Sequence, residues 1–374
     1  MRSVPYKLTR EQLLNDLYQA YLDARRHKRK KPYQQLFEIG LEKNLNDLCD
    51  ELHERRYHAR PSTCFIITDP KKREVFAADF RDRLVHHLYF NYVHEMLERT
   101  FIQDSYSCIK GRGTHYGINR LEKHIRSAST NWQERCYVMK MDIRGYFMHI
   151  NRERLLEMTL STIHRMAGHK VSKRSAETWQ ECVDIGFVNY LSHEIIMLDP
   201  TERCQIHGNA SDWDGLAHDK SLFNSPAGCG LPIGNLTSQL FSNVYLNALD
   251  QYVKRELSCK HYGRYVDDFY IVDPDRMRLR HLIPLIRRFL EEKLDLKLHE
   301  GKLKIVSVTQ GIDFIGAYLK PWRRYVSNNT LRRMLPKMNK LDEITDVRYR
   351  ESAIASYKGV LCHYRTMWLG GCLG

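Results

Sequence analysis

No apolar run reaches the roughly 18 residues that a membrane-crossing helix needs, and the opening Met1-Arg2-Ser3-Val4-Pro5-Tyr6-Lys7 lacks the apolar core of a signal peptide. A soluble, cytoplasmic protein with no membrane partner is the expectation. The ten cysteines, at 49, 64, 108, 136, 182, 204, 229, 259, 362 and 372, include no Cys-x-x-Cys pair. That scatter suits reduced thiols better than a disulfide framework. Cys204, His207, His218 and Cys229 share one loop-rich stretch, but their spacing matches no common zinc finger, so zinc is the lesser of two readings for them. Acidic residues are also short: 45 Asp and Glu stand against 59 Lys and Arg, a net charge of +14. The surplus implies a polyanionic partner bound with strong salt dependence, although a basic structural protein would share it. At 374 residues and 43% hydrophobic, the chain is long enough for a large core divided into subdomains.

What is present centres on Tyr265-Val266-Asp267-Asp268, inside Gly263-Arg264-Tyr265-Val266-Asp267-Asp268-Phe269-Tyr270-Ile271-Val272. Aromatic and β-branched residues on both sides predict a strand-turn-strand hairpin with two carboxylates at its tip, a geometry able to hold a divalent metal. A lone Asp-Asp is more often a surface turn. Metal chemistry needs a third carboxylate, and Asp142 in Tyr137-Val138-Met139-Lys140-Met141-Asp142-Ile143-Arg144 offers it. Alternation puts Tyr137, Met139, Met141 and Ile143 on a core face, and Val138, Lys140, Asp142 and Arg144 on a functional groove. The plainer reading of Asp142 is a strand-end carboxylate neutralised by a neighbouring cation.

Local signals organise the rest. Thr9-Arg10-Glu11-Gln12 has the capping-box pattern, and Leu13, Leu14, Leu17, Tyr18 and Tyr21 follow at helical spacing. The helix runs into Arg25-Arg26-His27-Lys28-Arg29-Lys30-Lys31, either a solvated helix end or a phosphate-binding patch, closed by Pro32. Pro70 marks a hairpin turn between strands 64–68 and 74–77. Ser105 to His115 is a glycine-bearing loop in which Lys110 and Arg112 supply charge. Between Gly168 and Gly228 lies a long connection without a clear period. Leu279 to Leu294 reads as a helix, and the segment through Ile305 as turn and strand completing an antiparallel sheet. Beyond Pro321, Arg323, Arg324, Arg332, Arg333, Lys337 and Lys340 alternate with Leu331, Met334, Leu335 and Met338 as in a basic amphipathic helix pair.

Four blocks in order resemble the palm of a reverse transcriptase: the Asp142 block, Gly230-Leu231-Pro232-Ile233-Gly234-Asn235-Leu236-Thr237-Ser238-Gln239, Tyr265 to Asp268, and Gly311-Ile312-Asp313-Phe314-Ile315-Gly316. The resemblance runs from about Arg60 to about Leu369. It implies an α+β right-hand polymerase with an N-terminal helical extension (1–56), fingers (57–135), an antiparallel-sheet palm (136–319, the connection 168–228 serving fingers and palm) and a short helical thumb (320–374). It also implies catalysis by Asp142, Asp267 and Asp268. These, with the Ile143 carbonyl, would hold two Mg²⁺ ions, for which Mn²⁺ substitutes. Nucleotide contacts fall on Lys71, Lys72 and Arg73 of the fingers hairpin, on Phe147, Ile233, Gly234 and Gln239, and on Lys302 beside the departing pyrophosphate. Contacts with template or primer fall on Lys110, Arg112, Tyr265, Phe314 and Gly316. The aromatic Phe147 would exclude a 2′-hydroxyl, so the substrates are deoxynucleotides.

Two departures narrow the resemblance. Most reverse transcriptases carry Gln at the position of Ile233 and Pro at that of Gln239. The form here, preceded by Lys220-Ser221-Leu222-Phe223, resembles the reverse transcriptase of diversity-generating retroelements. That family copies a template-repeat RNA into cDNA with errors opposite adenine, to diversify a target gene, and works with a basic, oligomeric accessory variability protein. The Ile233 side chain cannot hydrogen-bond, so it is expected to relax base selection. The alternatives are a group II intron or retron reverse transcriptase, or a non-catalytic RNA-binding protein on a polymerase scaffold. Met148 stands where many relatives have an acidic residue.

Overall fold

A computed structural model describes residues 6–26, 31–69 and 71–364. The centre of the basic run (27–30), Pro70, Cys372 and the chain beyond Tyr364 lie outside the described residues. In chain order, helices α1 (Arg10–Arg25), α2 (Pro32–Ile39) and α3 (Leu41–His53) lead to strands β1 (Ser62–Ile67) and β2 (Arg73–Ala77), then α4 (Phe80–Glu98) and α5 (Thr114–Ala128). Strand β3 (Tyr137–Met141) is followed by α6 (Arg152–Ala167), α7 (Trp179–Cys182), α8 (Ile185–Ile196), β4 (Cys204–Ile206) and α9 (Leu236–Gln251). The hairpin β5 (His261–Tyr265) and β6 (Asp268–Asp273) precedes α10 (Arg276–Leu294) and β7 (Lys304–Ser307). Last come β8 (Ile312–Phe314), β9 (Ala317–Lys320), β10 (Arg323–Val326), α11 (Asn328–Met338) and α12 (Val347–Leu361). The class is α+β, as expected.

The chain divides into two compact units. The first takes Met1–Ile102, Arg144–Gln251 and Phe289–Lys297. Its first helix starts as the sequence predicts: the Thr9 hydroxyl accepts from the Gln12 N–H, and the Gln12 side chain accepts from the Thr9 N–H. Leu13, Leu17, Ala20, Tyr21 and Ala24 of α1 are buried, at the spacing of one helix face, and α1 packs on α3 and α4. Pro32 opens a helix rather than merely closing the basic run: it occupies the first turn of α2, where its missing N–H costs nothing. β1 lies between β2 (antiparallel) and β4 (parallel).

The long connection is not a loop. It holds α8, capped by the Asp184 carboxylate on the Phe187 N–H. That helix escapes sequence reading because its residues, Ile-Gly-Phe-Val-Asn-Tyr-Leu-Ser-His-Glu-Ile-Ile, are apolar on most sides and show no sharp period. Farther along, the buried Glu74 carboxylate of β2 accepts from Trp213 Nε1 (2.8 Å), Ser221 Oγ (2.8 Å) and the Leu222 N–H (2.6 Å), and so ties the connection to the β1–β2 hairpin.

The second unit takes Gln103–Ile143, Tyr252–Arg288 and Leu298–Gly374. Its four-stranded sheet has the order β5-β6-β3-β7, antiparallel throughout, and a second sheet has the order β10-β9-β8. Ile118, Leu121 and Ile125 of α5 pack with Val138, Tyr270, Val272, Phe314 and Leu319 in one buried core. Here the expected strand faces need correction. Val138, assigned to the groove, is fully buried in that core, whereas Tyr137, assigned to the core, is half-exposed. The end of that face, Lys140, Asp142 and Arg144, opens toward solvent, whereas residues of α5, β8 and β9 cover Val138. Toward the C-terminus the helix pair is α11 and α12, joined through Met334, Met338, Leu341 and Leu361, while Arg323 and Arg324 belong to β10 instead. Among the described residues no helix is long and apolar enough to cross a membrane.

Candidate active site

Strand β3 ends at Met141, and Asp142 follows it. Its carbonyl accepts from the His299 N–H (2.8 Å), in a pairing of Ile143 with Leu298 that leaves the Ile143 carbonyl unused. The neighbouring strand β6 begins at Asp268. Its register with β5 pairs Tyr265 with Asp268, so Val266 and Asp267 are the two residues of a tight hairpin turn. Val266 has φ of +56° and Asp267 does not share the positive φ, the pattern of a II′ turn. Glycine normally fills that first position. A β-branched residue there holds roughly 1–2 kcal/mol of backbone strain.

The three carboxylates gather at one end of the β5-β6-β3 ladder, with two lysines among them. Lys302 Nζ donates to Asp142 Oδ2 at 2.8 Å. Lys140 Nζ lies 3.8 Å from Asp268 Oδ2, donates to the Asp313 carbonyl, and sits 5.7 Å from the Phe314 ring centre. Burial pushes the Asp268 carboxyl up to about 6; Lys140 opposes the rise, and Asp142 and Asp267 add to it. Like charges crowded at a low-dielectric edge favour an added cation.

The donor set suits a hard divalent ion. Asp142 Oδ1 is buried without a hydrogen-bond partner, an acceptor left for such an ion. The carboxylates do not share one ligand sphere as they stand, since Lys302 occupies Asp142 Oδ2. Among the described residues no three His, Cys, Asp or Glu side chains stand close enough to hold a metal as they are, and this includes Cys204, His207, His218 and Cys229.

The remaining predicted residues fall in both units. Phe314 is fully buried, edge-on to Tyr270 at 5.1 Å, so its side chain is core rather than a strand contact. Ile315 and Gly316, both with positive φ, form the two-residue turn between β8 and β9, and Tyr265 is half-buried against the same core. Lys110 is exposed. The guanidinium of Arg112 braces its own loop by donating to the carbonyls of Gln103 and Ser105, both at 3.2 Å.

In the first unit, Lys71 and Arg73 are exposed on the β1–β2 hairpin, while Lys72 donates to the Asp214 carbonyl. Phe147 and Ile233 meet in one apolar cluster with Cys64, Phe76, Met148, Leu222 and Trp213. That cluster accounts for Met148, since an acid at this buried position would lose its water without gaining a partner. The Ile233 carbonyl accepts from the Phe76 N–H (2.9 Å). Gly234, at φ +132°, lies so close that a Cβ would meet the Phe76 carbonyl oxygen at 2.9 Å. Gln239 is exposed on α9.

Residues 69–319 match the family model described as reverse transcriptase (RNA-dependent DNA polymerase). The chain belongs to the reverse transcriptase family. Within that reverse transcriptase region lie all three carboxylates, both lysines, Phe147 and Ile233, and all of their cluster but Cys64. Among solved structures it is similar to telomerase from Candida albicans in complex with a TWJ fragment of telomeric RNA (12% identity over 75% of this chain and 50% of that one, TM-score 0.46). It is also similar to apo telomerase from Candida tropicalis truncated from its C-terminal domain (10% identity over 72% and 56%, TM-score 0.49). The chain spans about half the length of each. No curated protein matches it.

Three features were not legible in the sequence. Lys140 reads there as one more groove residue, Glu74 as part of a charged hairpin, and Arg264 as a strand cation. Lys140 and Glu74 gain their roles from partners distant in the chain, and Arg264 from its burial against the 104–106 segment, for which no local pattern exists.

Proposed function

We propose that this reverse transcriptase copies a template-repeat RNA into cDNA with frequent errors opposite adenine, together with a basic accessory variability protein. The carboxylate edge of Asp142, Asp267 and Asp268, with a buried unpartnered oxygen, carries the polymerase part of the reading. Those residues and the Ile143 carbonyl would hold Mg²⁺, which when bound activates a primer 3′-hydroxyl and offsets charge on the leaving pyrophosphate. Lys302 supplies a cation, with protons to give, beside that leaving group. Lys140 steadies Asp268.

The mutagenic part rests on Ile233. Its side chain belongs to an apolar wall with Phe147, Phe76 and Met148, so what it offers a nucleotide is selection by shape. Selection by apolar fit discriminates far less than selection by hydrogen bonds. Phe147 on the same wall keeps deoxynucleotides as substrates.

Sequencing cDNA made by the purified protein with its accessory protein and cognate RNA tests both parts. Asp142→Asn should cut extension by at least about 100-fold while RNA binding persists, a loss of the size seen when a transition-state charge partner is removed. Retained polymerisation would refute the metal assignment. Ile233→Gln should lower errors opposite adenine, and an unchanged error spectrum would remove Ile233 from the explanation.

A further inference from the structure

Arg264 has no solvent exposure, an unusual state for the most strongly basic side chain. Its Nη1 donates to the Val266 carbonyl at 3.0 Å, within the strained turn, and its Nη2 reaches Ser105 Oγ at 3.3 Å. The main chain is held as well. The Arg264 N–H donates to the Asp104 carbonyl (2.9 Å), and the Arg264 carbonyl accepts from the Tyr106 N–H (3.0 Å). The 104–106 segment is itself anchored: the Asp104 carboxylate takes Arg120 Nε at 2.7 Å, Lys254 at 3.4 Å and the Tyr106 hydroxyl at 3.1 Å. The guanidinium therefore reaches the turn from a rigid base, and the carbonyl it grips belongs to the one turn residue whose φ its side chain disfavours.

We propose that Arg264 is a positioning residue for the catalytic turn. By holding the Val266 carbonyl it keeps Val266 left-handed, and that conformation sets the direction of Asp267 and Asp268 toward Asp142. The inference rests on the polymerase reading above. A cation confined to core packing would have no reason to interact with the residue type at 266, whereas a brace against strain does. Glycine adopts positive φ at no steric cost, so it removes the need for the brace.

The test is a double-mutant cycle with two readouts. Arg264→Met should lower Mg²⁺-dependent primer extension about tenfold or more and weaken terbium binding, followed by luminescence sensitised from Tyr265, by a similar factor. Arg264→Met combined with Val266→Gly, measured against Val266→Gly alone, should lose less than about threefold in both. Arg264→Lys, which keeps one donor, should fall between, and thermal melts establish that each variant is folded. Equal losses in the two backgrounds, or unchanged terbium affinity in folded Arg264→Met, would overturn the proposal. A wild-type protein that binds terbium but extends no primer would instead overturn the polymerase reading, while the terbium arm of the cycle still decides the role of Arg264.

Discussion

Inside the second unit the His124 imidazole is nearly enclosed. Its Nδ1 meets the Tyr270 hydroxyl at 3.0 Å, its Nε2 meets Arg120 at 3.2 Å, the Asp104 carboxylate lies 3.6 Å away, and Lys254 and His261 also face it. Burial lowers its pKa to about 4; Asp104 pulls the other way, and Arg120, His261 and Lys254 reinforce the drop. The unfolded chain then binds the proton more readily than the native one. Stability from this group is complete above pH 6.5 or so and is lost as pH falls toward 4, with a slope of about 1.4 kcal/mol per pH unit. Urea titrations at pH 7.5, 6 and 5 should show that decline, and His124→Gln should make it shallower, the buried His86, also lowered to about 4, supplying part of what remains. An identical slope in the variant would assign the acid sensitivity elsewhere. At this scale Asp142, Asp267 and Asp268 could be picked out beforehand because each sits in a contiguous pattern. The pairing of Lys302 with Asp142 could not, although Lys302 itself was singled out, since the two are 160 residues apart in the chain.

Among the elements, the three tight hairpins of the second unit repay comparison, because none has its preferred glycine at every left-handed position. The β9–β10 turn is Pro321-Trp322, with Trp322 at φ +62° and 58% exposed. Proline followed by a positive φ is the type II pattern, which favours glycine second. Replacing an exposed tryptophan there removes little burial. Trp322→Gly should therefore stabilise the protein by about 0.5–1 kcal/mol, the left-handed penalty less the entropy glycine loses on folding. Chemical denaturation measures it directly, and a loss of stability would show that the indole packs more than its exposure implies. The hairpin at Val266-Asp267 was readable from its flanking aromatic and β-branched residues, as was α1 from its capping box, whereas β8, β9 and β10 were not, and Arg323 and Arg324 of β10 read as part of a helix pair. Helix α8 was not readable either, because apolar residues on most of its sides blur the period that marks its buried face.

For the molecule as a whole, the surplus of 14 positive charges sets how it meets nucleic acid. If about four phosphates of a single strand are neutralised, affinity should fall about 100-fold between 50 and 300 mM KCl, at roughly 0.7 log units per phosphate for each decade of salt. Fluorescence anisotropy with an unrelated RNA checks this, and a flat salt response would mean that binding does not rest on charge.

The sequence by itself determined the first helix, the helix over 279–294, the strands at 64–68, 74–77 and 137–141, the acidic hairpin tip, the third carboxylate and the basic character. All of these are written in residues near one another, where periodicity, caps and turns act. Only the tertiary structure decided that Val138 and Phe314 are core, that Met148 belongs to an apolar wall with Ile233, that two lysines neutralise the carboxylate edge, and that a buried arginine grips a left-handed valine. Those outcomes depend on which distant surfaces cover one another, and burial and charge pairing across such distances leave no periodic trace along the chain.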